Sequence, residues 1–277
     1  MLMSLDALTE QVLESTKYRH ICPDLIRRIG AHELAIRRNL KEAVKETKNT
    51  LHQVAGAFAD SGPRYQEWLQ HLRTARSDGD PEHFRQACAE VLERHTSTRE
   101  RLPVLDEFYT TLLGDLAQER PIRSVLDVAC GLNPLALPWM PLAPNAAYYA
   151  CDLYNDMMAF LTDFFALAGV AGRAETHDVA TALPDCEVDV ALLLKALPPL
   201  EQTDKTASLR LLRSIRAKVL IVSFPTRTLG GRNKQMETNY ETRFRQLIRD
   251  EPWSVERFAF ANELCFRLTK PSHENQE

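Results

Sequence analysis

The chain has 277 residues, 44% of them apolar and 26% charged, enough to bury one large core or a core with a helical extension. No apolar run approaches the eighteen or so residues of a membrane span. Six scattered cysteines, with no CxxC and no Cys/His pairing at zinc spacing, exclude a disulfide scaffold and a zinc finger and read as reduced thiols of a cytoplasmic protein. The first fifteen residues carry three acids and no base, unlike a secretory or mitochondrial leader.

The net charge of −4 hides a segregation. Nine Lys/Arg face four Asp/Glu between Lys17 and His52, and eleven face two between Lys205 and Arg249, so the remainder carries −18. Two basic segments in an acidic remainder suit a polyanion-binding face, provided the bases converge in space. The plainer reading is that helices have solvated charged faces.

Residues 1 to about 100 read as helical. Leu5, Leu8, Val12 and Leu13 have helical spacing before a break at Cys22-Pro23, and Asp24 is placed to cap the next run, LIRRIGAHELAIRRNL. KEAVKETKNTLHQVAGAF follows and stops at Gly62-Pro63; YQEWLQHLRTAR ends at SDGDP, and HFRQACAEVLERH starts anew. After residue 103 the character changes. LPVLDEFYTTLLGDL is an amphipathic helix, and Ser124–Ala129 is the first buried strand. Strands are then expected at 146–154, at RAETHDV, at DVALLL before Pro198-Pro199, and at KVLIVSFPT, with helices NDMMAFLTDFFALAGV and SLRLLRSIRA between them. SVERFAFANELCFRLTK reads as two strands around a turn near Ala261-Asn262. The pattern predicts an α/β fold: a doubly wound parallel sheet finished by a C-terminal antiparallel hairpin, preceded by an all-α N-terminal domain. The boundary is set at 1–103 and 104–277.

In such a sheet a ligand sits outside the carboxyl ends of the strands, at the switch point. Strand one ends in Ala129-Cys130-Gly131, Asp152 ends strand two twenty-one residues later, and Asp178 ends strand three. Glycine permits close backbone approach, one carboxylate suits ribose hydroxyls, and another suits an adenine amino group. A single glycine disfavours a pyrophosphate cradle, so a cofactor without phosphates, S-adenosylmethionine, fits better. The structural alternative is a turn glycine and two helix-capping acids. His52, His71 and His177 read as surface or capping residues, and Cys130 as a small buried side chain.

The words HTSTRERLPVLDEFY, DVACGLNPLALPWM, LLLKALPPLE, VSFPTRTLGGRNKQMETNY and ANELCFRL, with STKYRHICPDLIRRI and LHQVAGAF upstream, resemble the aminoglycoside-resistance 16S rRNA methyltransferases. The resemblance runs from about Lys17 to Leu268 and is especially close to members from aminoglycoside-producing actinomycetes. It implies a class I methyltransferase sheet and a 16S rRNA (guanine-1405-N7)-methyltransferase that uses S-adenosylmethionine on the decoding site of the 30S subunit, with no membrane or DNA partner, and confers aminoglycoside resistance. It also makes residues 1–103 an rRNA-recognition domain. Residue by residue, it places Phe58, His95, Ser97, Arg101, Ala129, Gly131, Asp152, Asp178, Val179 and Leu194 around the cofactor, Arg101 pairing with the methionine carboxylate. Lys195 would lie between cofactor and base, and Glu263 near the flipped guanine; these two are the candidate catalytic residues. Lys17, Arg19, Arg27, Arg28, Lys45, Lys48, Arg227, Arg232 and Lys234 would meet RNA phosphates, with Met236 and Tyr240 at the same loop. One departure stands out: where the family has a glutamine shortly after LE, this chain reads LEQTDKTAS, so either Gln202 serves from a shifted position or Asp204 replaces it.

Guanine N7 has a lone pair and no proton to lose, so the implied chemistry is in-line displacement without a general base. No metal site is expected. Two other readings stay open on the residues alone: a methyltransferase for another base, such as adenine N1 of the same region, and a non-catalytic ribosome-binding protein on this fold.

Overall fold

The structure is a computed structural model and describes residues 5–37, 39–55, 64–228, 231–232 and 234–271. Helices come first: α1 (Leu5–Leu13), α2 (Pro23–Ile36), α3 (Leu40–Ala55), α4 (Tyr65–Ser77), α5 (Pro81–Leu92), the short α6 (Thr96–Arg101) and α7 (Leu105–Glu119). The sheet elements follow: β1 (Ser124–Val128), β2 (Ala147–Asp152), α8 (Asn155–Ala168), β3 (Ala171–Thr176), β4 (Val188–Leu194), α9 (Leu197–Thr203), α10 (Ala207–Ser214) and β5 (Ala217–Pro225). A two-residue ladder of β6 (Arg227–Thr228) and β7 (Gly231–Arg232) leads into α11 (Lys234–Leu247), and β8 (Ser254–Ala259) and β9 (Glu263–Thr269) close the chain.

Prolines punctuate helix starts as their fixed φ dictates. Pro81 opens α5 behind Asp80, whose carboxylate accepts from Glu82 N–H at 2.9 Å. Pro23 likewise opens α2, so the residue before the helix is Cys22; Asp24 sits inside the first turn and does not cap it. Pro198 and Pro199, which end the fourth strand in sequence terms, also begin α9.

The seven-stranded sheet has the order β3-β2-β1-β4-β5-β9-β8, parallel through β5 and antiparallel in the final hairpin. Continuous apolar runs such as VALLL in β4 are what a strand covered on both faces requires. In β5 the faces alternate. Val219 and Ile221 join the core under α4, α5, α7 and α8, whereas Leu220, Val222 and Phe224 join the core under α10 and α11.

Packing divides the helices at a different place from the change of sequence character at residue 103. Leu8, Val12, Leu25, Ile26, Ile29 and Leu51 of α1–α3, with Ile21 between α1 and α2, form a core of their own, touched by Leu153 and Tyr154. Leu69, Leu72, Phe84 and Val91 of α4 and α5 belong instead to the core of the sheet, alongside Val125 and Phe164. The helical pattern of residues 65–101 is the same as that of 5–55, and only the destination of the apolar face separates them.

Candidate functional site

The sheet order reverses between β1 and β4, and at that point both strands end in left-handed backbone. Ala129 after β1 has φ +53° and Lys195 after β4 has φ +59°. Each such non-glycine residue costs roughly 1–2 kcal/mol, a strain that clusters where a fold serves a site. Gly131, at φ +52°, lies against the His95 ring; a Cβ there would stand 2.9 Å from His95 Cε1. The His95 ring is set by Ser97, with Nδ1 and Oγ 2.9 Å apart. Thus α6, at the end of the stretch read as helical, brings Ser97 and the preceding His95 onto the β1 turn.

Two carboxylates flank this turn with distinct acceptor capacity left over. Asp152 accepts Gly131 N–H on Oδ2 at 2.8 Å and Leu153 N–H on Oδ1 at 2.6 Å. A carboxylate has about four lone-pair positions, so one remains on each oxygen, matching the two hydroxyls of a ribose. Burial pushes the Asp152 carboxyl above its ordinary range, and the two backbone donors oppose that. Asp178 is bound by Arg28 through Nε to Oδ2 at 2.5 Å and Nη2 to Oδ1 at 3.1 Å, and Ala180 N–H also reaches Oδ1 at 3.2 Å. One acceptor position is left there. Val179 is half-buried beside it, and Leu194 is buried at the end of β4.

Beneath the turn lies a polar network built into the apolar core. Arg101, 2% exposed, forks onto Glu263, 1% exposed, with Nε to Oε2 at 3.1 Å and Nη2 to Oε1 at 2.8 Å. Its Nη1 donates to Asn133 Oδ1 at 2.9 Å, which also accepts Tyr109 OH at 2.7 Å. Asn133 Nδ2 and Tyr148 OH both donate to Asp127 Oδ2, at 2.9 and 2.8 Å, while Asp127 Oδ1 is buried without a partner among the described residues. Burial, against those two donors, pushes the Asp127 carboxyl up to about 7. For Glu263 burial acts upward too, but the charges of Arg101 and Lys195 and the hydrogen bonds from Arg101 and Ser223 outweigh it and hold the carboxyl below its usual range. Lys195 Nζ stands 2.6 Å from Glu100 Oε2 and 3.7 Å from Glu263 Oε2. Strand register explains the meeting: Leu194 pairs with Ser223, and Pro225 pairs with Glu263. Ser223 Oγ accepts Lys195 N–H and donates to Glu263 Oε1.

The structure therefore gathers His95, Ser97, Arg101, Ala129, Gly131, Asp152, Lys195 and Glu263 on one edge of the sheet, with Asp178 and Val179 after β3. In it, Arg101 spends its fork on Glu263, and Glu263 spends its oxygens on Arg101 and Ser223. Gln202 stands apart, exposed on α9 and lining a cleft of about 640 Å³ with Phe224, Tyr240 and Arg243. Asp204 is committed to Arg210 and to Thr206, which hold its carboxyl down at about 2. Phe58 lies outside the described residues, as do the side chains of Arg227, Arg232 and Lys234.

Asp127, Asn133, Tyr109, Glu100 and Ser223 were not singled out by the sequence reading. Asp127 carried a signal: a lone acid inside an otherwise apolar strand demands partners when buried.

The basic segments look different once folded. In the second, Arg210, Arg213, Arg216, Arg243, Arg245 and Arg249 pair with Asp204, Glu251, Asp185, Glu201, Glu241 and Asp250, mostly acids lying outside the counted window. In the first, Arg27 pairs with Asp6 and Arg28 with Asp178, while exposed Lys45 and half-buried Lys48 on α3 make no ion pair among the described residues. Exposed Lys17 and Arg19 reach the rings of His52 and His20. The α9 helix packs against α3 on one side and faces α11 across the cleft, so α9 bridges the two segments. Met236 is half-buried on α11, and Tyr240 stacks on Phe224 at 5.0 Å.

A family model described as ribosomal RNA methyltransferase (FmrO) matches residues 14–266. The chain belongs to this ribosomal RNA methyltransferase family. A Micromonospora rosea protein named 16S rRNA (guanine(1405)-N(7))-methyltransferase is 35% identical over 268 residues, covering 96% of this chain and 97% of its own length. A Frankia casuarinae protein of the same name is 36% identical over 266 residues, 95% of this chain and 93% of its own. The crystal structure of the 16S rRNA methyltransferase RmtF in complex with S-adenosyl-L-homocysteine matches with a TM-score of 0.81 and 33% identity, over 98% of this chain and all of the other. The sheet of this family member is accordingly the class I methyltransferase sheet. No helix among its described residues is long and apolar enough to cross a membrane.

Proposed function

We propose that this family member transfers a methyl group from S-adenosylmethionine to N7 of guanine 1405 of 16S rRNA, within the small ribosomal subunit in the cytoplasm, and so confers aminoglycoside resistance. The observation that carries the reading is the acceptor arithmetic at the switch point of a family fold. Asp152 keeps one lone pair on each oxygen for a vicinal diol, Asp178 keeps one for an amine, and Gly131 has no room for a side chain. The single glycine after β1, Gly131, disfavours a pyrophosphate cradle and suits an S-adenosyl group.

When bound, the cofactor supplies a methyl group on a sulfonium, an electrophile strong enough for a neutral purine nitrogen. The chain's own residues align and exclude water. His95 and Ser97 wall the glycine turn, and Leu194 with Lys195 forms the strand-four wall. N7 carries no proton, so no residue need act as a base, and catalysis rests on orientation in a dry pocket. Lys195 is the candidate to touch the target base, its ammonium presented by Glu100 and Glu263. Glu263 serves by holding Arg101 and Lys195 in place. Extruding a base from a ribosomal helix costs a few kcal/mol, and phosphate contacts by α1–α3, led by Lys45 and Lys48 with Lys17, Arg19 and Arg27, together with the segment 227–240, supply it. The rRNA-recognition role assigned to residues 1–103 falls mainly on residues 5–55, whose core is separate from those of the sheet and meets the loop after β2.

The test is methyl transfer from labelled S-adenosylmethionine to purified small subunits, followed by borohydride/aniline cleavage and primer extension. A single new stop at guanine 1405 is the expected result. Label incorporated without cleavage would move the reaction to another atom, and no incorporation with the cofactor bound would leave a non-catalytic binder.

A further inference from the structure

The α1–α3 unit is fastened to the loops that carry both cofactor carboxylates. Directly after Asp152, Cys22 N–H donates to Leu153 O at 2.7 Å, Asn155 N–H donates to His20 O at 2.8 Å, and Ile21 bridges antiparallel to Tyr154. Further along α2, Arg28 reaches the second carboxylate. Asp178 is 3% exposed, and Arg28 is buried enough to leave its side chain only 27% exposed. With Arg28 and Ala180 N–H in place, Oδ1 has both lone pairs engaged and Oδ2 has one.

We infer that Arg28 is a positioning residue of the cofactor site: it fixes the rotation of the Asp178 carboxylate and aims its single remaining lone pair at the exocyclic amine of adenine. This rests on the proposed methyltransferase function and deepens it, because a helix of the rRNA-facing unit then completes the adenine subsite. The two-point fork of a guanidinium is what sets a carboxylate's plane; an ammonium at the same place offers a point charge and no such orientation. Two of the five Arg28 donors are turned inward on Asp178, so its side-on edge is spent there and only the Nη1 edge remains for the phosphate contact that the family resemblance assigned to this residue. The consequence is chemical selectivity. A carboxylate presenting only a lone pair accepts from a 6-amino group and repels a 6-oxo group.

The experiment is calorimetric binding of S-adenosylhomocysteine and of its 6-oxo analogue, S-inosylhomocysteine, to the wild type, Arg28→Lys and Arg28→Ala, beside small-subunit binding by co-sedimentation. The wild type is expected to favour the amine by about tenfold or more, the scale of one hydrogen bond to a charged group. Both variants are expected to lose about tenfold in S-adenosylhomocysteine affinity and less for the analogue, so the preference collapses, while subunit affinity stays within about twofold. Lys48→Ala is expected to show the reverse pattern. Equal weakening of both ligands would make Arg28 merely structural and overturn the inference, as would an unchanged preference with weakened subunit binding. Should Arg28→Ala fail to fold, Arg28→Lys carries the same test. If the wild type binds neither nucleoside, the methyltransferase reading falls first and the inference with it.

Discussion

Removing the charge of Glu263 should destabilise the protein more than any other single isosteric change at the site. Glu263 and Arg101 are 1% and 2% exposed and share two hydrogen bonds. With Lys195 and Glu100 they form a cluster of two acids and two bases, which is neutral. Glu263→Gln leaves that cluster at one positive charge with Arg101 fully buried; Arg101→Met leaves it at one negative charge. Breaking a buried pair by removing one partner costs about 3–5 kcal/mol, and glutamine retains one acceptor, so about 3 kcal/mol is expected for Glu263→Gln. For a domain of this size that is a Tm loss of roughly 6–12 °C. The double variant Arg101→Met/Glu263→Gln restores neutrality, so its cost should fall several kcal/mol short of the sum of the singles. Urea unfolding followed by circular dichroism at pH 7 measures all four. Because Glu263 is held below its ordinary range in the folded chain, the stability it contributes is present above its unfolded pKa of about 4.3 and is lost as pH falls through the folded value. The gap between wild type and Glu263→Gln should therefore narrow below about pH 4. Single costs under about 1 kcal/mol that add within about 0.5 kcal/mol would refute the reasoning.

Asp127, raised to about 7 by burial, behaves oppositely: the folded state holds its proton, so wild-type stability relative to Asp127→Asn should decline as pH rises from about 4 to about 7 and level off above, which unfolding midpoints at pH 5, 6, 7 and 8 would show. Gly131→Ala places a Cβ 2.9 Å from His95 in left-handed backbone, costing roughly 1–2 kcal/mol of strain and weakening S-adenosylhomocysteine binding in calorimetry by about tenfold or more. Lys45→Glu/Lys48→Glu should leave cofactor binding intact while reducing the dependence of small-subunit affinity on log salt by roughly one unit per lost phosphate contact; an unchanged slope would move the RNA face elsewhere.

Much of this architecture was legible because local rules and burial agree. The runs SVLDV, VALLL and KVLIVSFP are apolar enough to be covered on both faces, and they are β1, β4 and β5. The approach of Gly131 to Asp152 was legible as well: both were placed at the carboxyl ends of neighbouring strands, and Gly131 N–H donates to Asp152 there. Other features depend on partners far away in the chain. The α4–α5 pair carries the same amphipathic signature as α1–α3, and nothing in periodicity says that Phe84 packs on Phe164 while Leu25 does not. The short α6 and the polar helix α11 offered little apolar periodicity to read. Charge counting is blind to pairing for a related reason. A window from Lys205 to Arg249 is strongly basic, yet Asp185, Glu201 and Glu251 reach its arginines from outside. Only pairing in space separates a neutralised arginine from one available to phosphate.

That distinction narrows where RNA binding energy can originate. An arginine already paired with a carboxylate gains little from a phosphate, since one anion replaces another and the released acid must be resolvated. A lysine with no acid partner among the described residues, as Lys45 and Lys48 on α3, would gain the full counterion-release term on meeting a phosphate. The same reasoning separates Arg27 from Arg28. Arg27 is half-exposed and pairs with Asp6, 69% exposed, an exchange that costs little. Arg28 pairs with a carboxylate that is 3% exposed, and giving that partner up would leave a buried charge unpaired. Neighbours on one helix turn thus differ in what their release would cost: Arg27 can exchange an exposed acid for a phosphate, while Arg28 is held by a buried carboxylate.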